Sequence, residues 1–307
     1  MTIQRRGGVR RRAVLTAAVT TAAAAVVRAQ APASPASTPL ADAPRADGTT
    51  LTVERRDDIV LIGINRTAVH NRLDGATRRR LGQVLYAYEH DPSLRAAILF
   101  GHGERFSRGI DVDAAQATFQ SGQPATDSTG TLDILGKATP PPGKPMVCVV
   151  HGDTWNLGHE IYLACDVRIA AANTDFGQDE NSHGRFPGGG ATVRFVREAG
   201  WGNAMRYMLT GDHWTAEESY RMGVTQAIAP TPAAALEAGI AMARTIAAVA
   251  PLSTRATLTS ARHVTTPVEA DALAKTSATY AALYQTEDFL EGRRAEAEGR
   301  PPKYRGK

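Results

Sequence analysis

Residues 144–166 read KPMVCVVHGDTWNLGHEIYLACD. Met146 to Val150 is an uninterrupted apolar run without polar alternation, the pattern of a short strand covered on both faces. Asn156 to Leu163 reads as helical and leads into a second β-branched run, Val167 to Ala171, with Gly152 between the first strand and the helix. Strand, glycine turn, helix and strand follow one another within 30 residues. That order is the mark of an α/β sheet rather than a helical bundle or an all-β sandwich.

The same alternation extends in both directions. Leu51 to Val53 and Ile59 to Ile64 are β-branched runs on either side of Arg55-Arg56-Asp57-Asp58, which predicts a hairpin. From Asp74 to His90 apolar residues recur at Leu81, Val84, Leu85 and Tyr88, a helical spacing with Asp74 placed as the N-cap. Ala96 to Phe100 is another short strand, and the Pro-rich segment 140–145 introduces Met146. Beyond residue 229 the pattern changes, and 233–249, 252–264 and 267–300 read as helices. An α/β body with a helical tail follows. Cys148 and Cys165 are the only cysteines, one in a strand and one in a helix-like stretch, so two buried thiols and a bridge are both open readings, and their spacing offers no metal site.

A chain of 307 residues with 43% apolar and 21% charged side chains builds a substantial core, which excludes a disordered or collagen-like polymer. The formal net charge of +4 is misleading. Arg5, Arg6, Arg10, Arg11, Arg12 and Arg28 all lie in the first 31 residues; taking these six from the 35 Lys and Arg leaves 29 against 31 Asp and Glu, a net of −2 for the remainder. The basic balance belongs to the leader and implies no nucleic-acid partner. That leader has a positive start, the apolar run Ala13 to Val27 and the small-residue site Ala29-Gln30-Ala31, the plan of an export signal. Arg11-Arg12-Ala13-Val14-Leu15 resembles the twin-arginine core, which predicts a periplasmic address, or a cytoplasmic one should the leader not function. The chain thus divides into a signal over 1–31, a Pro/Ala-rich linker over 32–50, a core over 51–235 and a helical region over 236–307.

Several segments together carry a family resemblance. Asn65-Arg66-Thr67-Ala68-Val69-His70-Asn71-Arg72-Leu73-Asp74 resembles the N-R-P-x-x-x-N-A-L-D opening of the crotonase family, the enoyl-CoA hydratases and isomerases. Residues 101–112, GHGERFSRGIDV, resemble its G-x-G-x-x-F-S-A-G-x-D-L loop, and 144–166 resemble K-P-V-I-A-A-V-N-G-x-A-x-G-G-G-x-E-L-x-x-x-C-D. Phe176 to Glu180 with Phe186 to Gly190 resemble F-G-x-P-E and P-G-x-G-G, and pieces from Leu209 to Gly306 resemble the family's C-terminal signature. The resemblance implies a crotonase-like ββα spiral with a C-terminal helical oligomerisation region, assembled as a homotrimer or hexamer. It implies no tightly bound cofactor, no metal, and a CoA thioester or other small carbonyl compound as substrate.

It also implies a site. In this family two backbone amides bind an enolate oxygen, and the matching positions are Arg108 and Leu157. Two fixed donors aimed at a developing oxyanion each contribute on the order of a hundredfold to a thousandfold in rate. Glu160 and Glu180 match the paired carboxylates, whose job needs one group to accept a proton while the other donates. Glu160 as a helix-surface acid and Glu180 as a turn cap are the bland readings of the same residues. The departures matter: Arg108 replaces a small residue, and Asn156-Leu157-Gly158 replaces a glycine run, which adds bulk beside the acyl or pantetheine channel. His151, His159 and His183 add imidazoles near the same pocket as further acid–base candidates. That pattern resembles crotonase-fold carbon–carbon hydrolases acting on cyclic diketones without CoA, and an exported protein meets no cytosolic CoA pool. Three functions therefore stay open: a hydratase or isomerase of enoyl-CoA, an exported β-diketone hydrolase, and a catalytically retired binding scaffold.

Overall fold

The computed structural model describes residues 49–114, 116 and 129–307; the expected export signal, and all of the linker but its last two residues, lie outside them. Strands Leu51–Arg56 (β1) and Ile59–Ile64 (β2) form the expected hairpin, turned at Asp57 in the left-handed region (φ 54°). Ala96–Gly101 (β3), Met146–Val150 (β4), Val167–Ala171 (β6) and Ala227–Ala229 (β9) add in parallel to give a six-stranded sheet in the order β1-β2-β3-β4-β6-β9. Each parallel step needs a crossover, and helix Gly75–His90 (α1) supplies the one between β2 and β3. Asp74 caps it by accepting from the Thr77 amide at 2.8 Å.

Both faces of the sheet are covered at β2, β3, β4 and β6, which is why those strands read as near-continuous apolar runs. On one face, Ile62, Leu99, Cys148 and Val150 pack with Leu81, Leu85, Ile161 and Tyr162. On the other, Leu61, Ile98, Val147, Val149 and Ile169 meet helix Pro232–Ala247 (α6) through Ala235, Ile240 and Ala243. Cys148 and Cys165 are buried free thiols.

A second sheet was not legible in the sequence. Asp153–Trp155 (β5), Asp175–Gly177 (β7) and Trp214–Thr215 (β8) form a three-stranded sheet of two- and three-residue strands, too short to show any periodicity. The tail also differs from its sequence reading. One helix, Pro251–Leu283 (α7), replaces the two expected over 252–264 and at the start of 267–300. It continues through Pro267, which forfeits one amide donor while the rest of the ladder persists. The chain breaks instead at 284–286, where Thr286 caps helix Glu287–Glu298 (α8) by accepting from the Phe289 amide.

Helix α6 seats on the sheet at Gly239, where a Cβ would overlap the Val149 side chain of β4. Gly239→Ala is expected to lower stability by about 1–2 kcal/mol in urea denaturation, although alanine is the better helix former by about 1 kcal/mol. A neutral or stabilising result would show that α6 is free to shift on the sheet.

Candidate functional site

Three stretches of chain, far apart in sequence, are zipped together by main-chain hydrogen bonds at the carboxyl ends of β2, β3 and β4. The Phe106 amide donates to the His151 carbonyl (2.8 Å) and the Ser107 amide to the Asp153 carbonyl (3.0 Å), while the Trp155 amide donates back to the Ser107 carbonyl (2.9 Å). On the other side the Leu73 amide donates to the Gly109 carbonyl (2.8 Å) and Asp111 returns a bond to the Leu73 carbonyl (3.0 Å). This pairing brings residues 108–109 beside 156–157. A Cβ on Gly109, whose φ is 93°, would lie 3.2 Å from the Leu157 nitrogen, so the contact depends on glycine.

Leu157 is the first residue of helix Leu157–Ala164 (α2), and its amide has no hydrogen-bond partner among the described residues. An open amide at a helix N-terminus favours an anionic oxygen through both its hydrogen and the helix dipole. The Arg108 amide differs from the expectation of two open donors. It donates to the His70 carbonyl at 3.1 Å. The Arg108 side chain is held at the cavity wall, with Nε donating to Asp153 Oδ2 (2.7 Å) and the guanidinium 4.5 Å from the Trp155 ring centre. His70 and Asn71 both sit in the left-handed region, with φ of 59° and 54°, so the accepting carbonyl belongs to a strained turn.

Glu160, one turn into α2, and Glu180, which opens the 3₁₀ turn Glu180–His183, both line a cavity of about 1560 Å³ that also includes Arg108 and Leu157. Both residues are buried, at 3% and 6% exposure. Their surroundings are unequal. Glu160 Oε1 accepts from the amides of Gly189 (2.7 Å) and Ala191 (3.1 Å), and Lys137 and Arg194 stand near it. A side chain at 189 would collide with that carboxylate, so Gly189 is what lets the amides close on it. Glu180 Oε2 has no partner among the described residues. Burial raises the proton affinity of both; the amides and cations offset part of that at Glu160, whereas at Glu180 the neighbouring Glu160 charge adds to it, holding Glu180 well above the usual carboxylate range. The pair is therefore built to hold one proton on Glu180 with Glu160 ionised.

The three histidines separate. His183 lines the cavity, with Nε2 3.2 Å from Asp179 Oδ2. His151 does not: its Nε2 bonds the Gly103 carbonyl (2.8 Å), and burial lowers its proton affinity. His159 points away from the cavity into a cage of Tyr162, Phe176, Phe195 and Trp214, fully buried with both ring nitrogens unpaired among the described residues. Successive residues on a helix are turned by about 100° around its axis, which is why His159 and Glu160 part company. Among the described residues no three His, Cys, Asp or Glu side chains are grouped to hold a metal ion.

The profile of the enoyl-CoA hydratase/isomerase family matches residues 54–307. The chain belongs to that family. It is 31% identical over 265 residues to enoyl-CoA hydratase EchA19 of Mycobacterium tuberculosis, covering 85% of this chain and 98% of the relative. It is likewise 31% identical to the (E)-benzylidenesuccinyl-CoA hydratase of Thauera aromatica, covering 83% and 99%. Among solved structures, a probable enoyl-CoA hydratase/isomerase from Mycobacterium abscessus is similar at 38% identity and TM-score 0.69, and a carnitinyl-CoA hydratase from Mycobacterium avium at 28% and 0.74; each comparison covers 84% of this chain and 99% of the other.

Against that family's glycine run and its F-G-x-P-E segment, this enoyl-CoA hydratase/isomerase family member places Asn156 and Asp179. Asn156 adopts φ 54° and ψ −121°, a conformation natural only to glycine. Asp179 holds it there from both sides: Asn156 Nδ2 donates to Asp179 Oδ1 (2.7 Å), and the Asp179 amide donates to Asn156 Oδ1 (3.0 Å). His183 and His213 bond or face the other Asp179 oxygen, and the three-way contact keeps Asp179 strongly ionised despite burial. His213, 2.7 Å from Asp175, is pushed up to about 9 by these two carboxylates. Asp179 and His213 were missed in the sequence because their meaning lies in a contact across the small second sheet.

Two tests follow from this geometry. Asp179→Ala is expected to cost about 1–3 kcal/mol in urea denaturation, and adding Asn156→Gly should recover part of that, since glycine takes the same dihedrals freely; strictly additive losses would contradict the strap. For His159, burial lowers the pKa from 6.5 to about 3. The unfolded chain thus takes up a proton that the folded one refuses, and stability falls as pH drops from about 6.5 toward 3, by up to about 5 kcal/mol. His159→Leu should flatten the pH dependence of the urea midpoint across that window, and an unaltered slope would assign it to other groups.

Proposed function

We propose that the protein adds water to the double bond of a 2-enoyl-CoA thioester, or shifts that bond. The observation that carries this reading is the pair of buried, unequally held carboxyls sharing a cavity with the unpartnered Leu157 amide. In this reading the thioester oxygen accepts from Leu157 and takes a second bond from Arg108, whose amide it shares with the His70 carbonyl in a three-centre arrangement. Polarising the carbonyl makes C3 electrophilic. Glu160, ionised, accepts a proton from water as its oxygen bonds to C3; the π electrons move onto the thioester as an enolate, and Glu180, neutral, gives its proton to C2. The proton then on Glu160 restores Glu180 before the next turnover.

The relatives named as enoyl-CoA and benzylidenesuccinyl-CoA hydratases support a CoA thioester as the substrate class. No tightly bound cofactor enters this chemistry. Glu160→Gln and Glu180→Gln should each lower kcat for crotonyl-CoA hydration by about 10²–10⁴-fold, followed by loss of the conjugated thioester's ultraviolet absorbance. The rate should fall at low pH as Glu160 is protonated and at high pH as Glu180 ionises, with both limbs displaced upward from ordinary carboxylate values. Full activity in both variants would overturn the assignment.

His183 on the cavity wall, paired with Asp179, favours a second reading, in which an imidazole activates water against a β-diketone and the same amides hold the enolate leaving group. We further propose that the leader directs export through a twin-arginine route and that the helical tail assembles a trimer. Cell fractionation separates the two chemistries, because CoA is a cytosolic carrier. A periplasmic protein that cleaves a diketone panel, and loses that cleavage in His183→Ala, supports the hydrolase; a cytoplasmic one that hydrates crotonyl-CoA supports the first reading.

A further inference from the structure

Arg185 is a part of the cavity wall that neither the mechanism nor the scaffold uses. It follows the Glu180–His183 turn, and its amide donates to the Glu180 carbonyl at 2.8 Å. Gly184 before it is left-handed (φ 66°) and packed so closely that a Cβ would press on the Asp288 carbonyl, which fixes the direction in which residue 185 leaves the turn. The side chain is half-buried and lines the cavity with Glu180 and Tyr280. Its Nε is buried without an acceptor, and its guanidinium has no hydrogen bond or ion pair among the described residues. Three other arginines of this region are bonded: Arg194 to the Leu135 carbonyl, Arg293 to Asp113 and Glu296, and Arg300 to Glu291.

A guanidinium is a planar fork of donors that fits a carboxylate's two oxygens, and leaving a buried donor unmade is costly. Glu180 is near enough for the Arg185 charge to favour its ionisation, yet the two are not bonded. A full pair there would ionise Glu180 and remove the proton it is to deliver. An acceptor carried by a ligand in the cavity would complete the guanidinium's bonds. It is not a CoA phosphate, because Arg185 stands beside Glu180 at the reacting end, and the phosphates are a pantetheine arm away from the thioester.

We propose, resting on the acyl-CoA reading above, that the cavity selects acyl chains carrying a carboxylate beyond the double bond, and that Arg185 binds that carboxylate. The test compares two probes of equal length, hex-2-enoyl-CoA and hex-2-enedioyl-CoA, which differ only at the far carbon. The expected kcat/KM ratio favours the diacid by about 10–100-fold, mostly in KM; the ratio should fall toward one in Arg185→Gln and recover in part in Arg185→Lys. Turnover of both probes at equal kcat/KM by the unaltered protein would overturn the inference while leaving the hydratase reading standing. Equal losses on both probes in Arg185→Gln, with a shifted pH profile, would assign Arg185 to Glu180 instead and overturn it too. If neither probe reacts, the hydratase reading fails separately, and calorimetric binding of adipyl-CoA against hexanoyl-CoA still decides: tighter binding of the diacid, lost in Arg185→Gln, supports the carboxylate site, and equal binding overturns it.

Discussion

Everything at this site depends on the lateral pairing of 106–109 with 151–157 beyond the ends of β3 and β4. Ladder bonds within the large sheet set the strands side by side, but the sheet alone would let the two loops splay apart. The bonds from Phe106 to His151, from Ser107 to Asp153 and back from Trp155 to Ser107 continue the pairing past the sheet. They carry it to the point where Gly109 meets the first amide of α2. Backbone donors placed this way depend on the fold rather than on side-chain identity, which is how the cavity accommodates Arg108 and Leu157 where its family has small residues.

Two devices then set the chemistry. Gly189 and Ala191 direct amides at one carboxyl, while Oε2 of the other has no partner among the described residues, so two glutamates of the same kind hold protons differently. Proton transfer in both directions needs such a difference. The second device is the Asn156–Asp179 strap, which holds a glycine-like dihedral pair in a residue that has a side chain. Where the family uses glycine's freedom, this chain uses two hydrogen bonds and a carboxylate kept charged by His183 and His213.

The sequence makes the sheet legible because a strand covered on both faces is apolar over most of its length: the runs Met146 to Val150 and Val167 to Ala171 have the same bounds as the strands in the fold. Glu160, Glu180, Arg108 and Leu157 were recognisable from motif resemblance, and all four line one cavity. What was illegible depends on contacts between distant residues. Nothing local says that His159 turns into an aromatic cage while Glu160 faces the cavity, or that the Arg108 amide meets the His70 carbonyl. Strands of two or three residues leave no periodic trace, so the small sheet and the residues it aligns, Asp175, Asp179 and His213, emerged only in three dimensions.

The central claim is that a substrate carbonyl oxygen sits between the Leu157 and Arg108 amides. Isotope-edited infrared spectroscopy of a saturated acyl-CoA carrying ¹³C at the thioester carbonyl, bound to the purified protein, tests it directly. Two amide donors on that oxygen weaken the C=O bond, and its stretching band should move to lower frequency than in water. A band at the solution position would mean that the oxygen lies elsewhere and that these loops only shape the cavity.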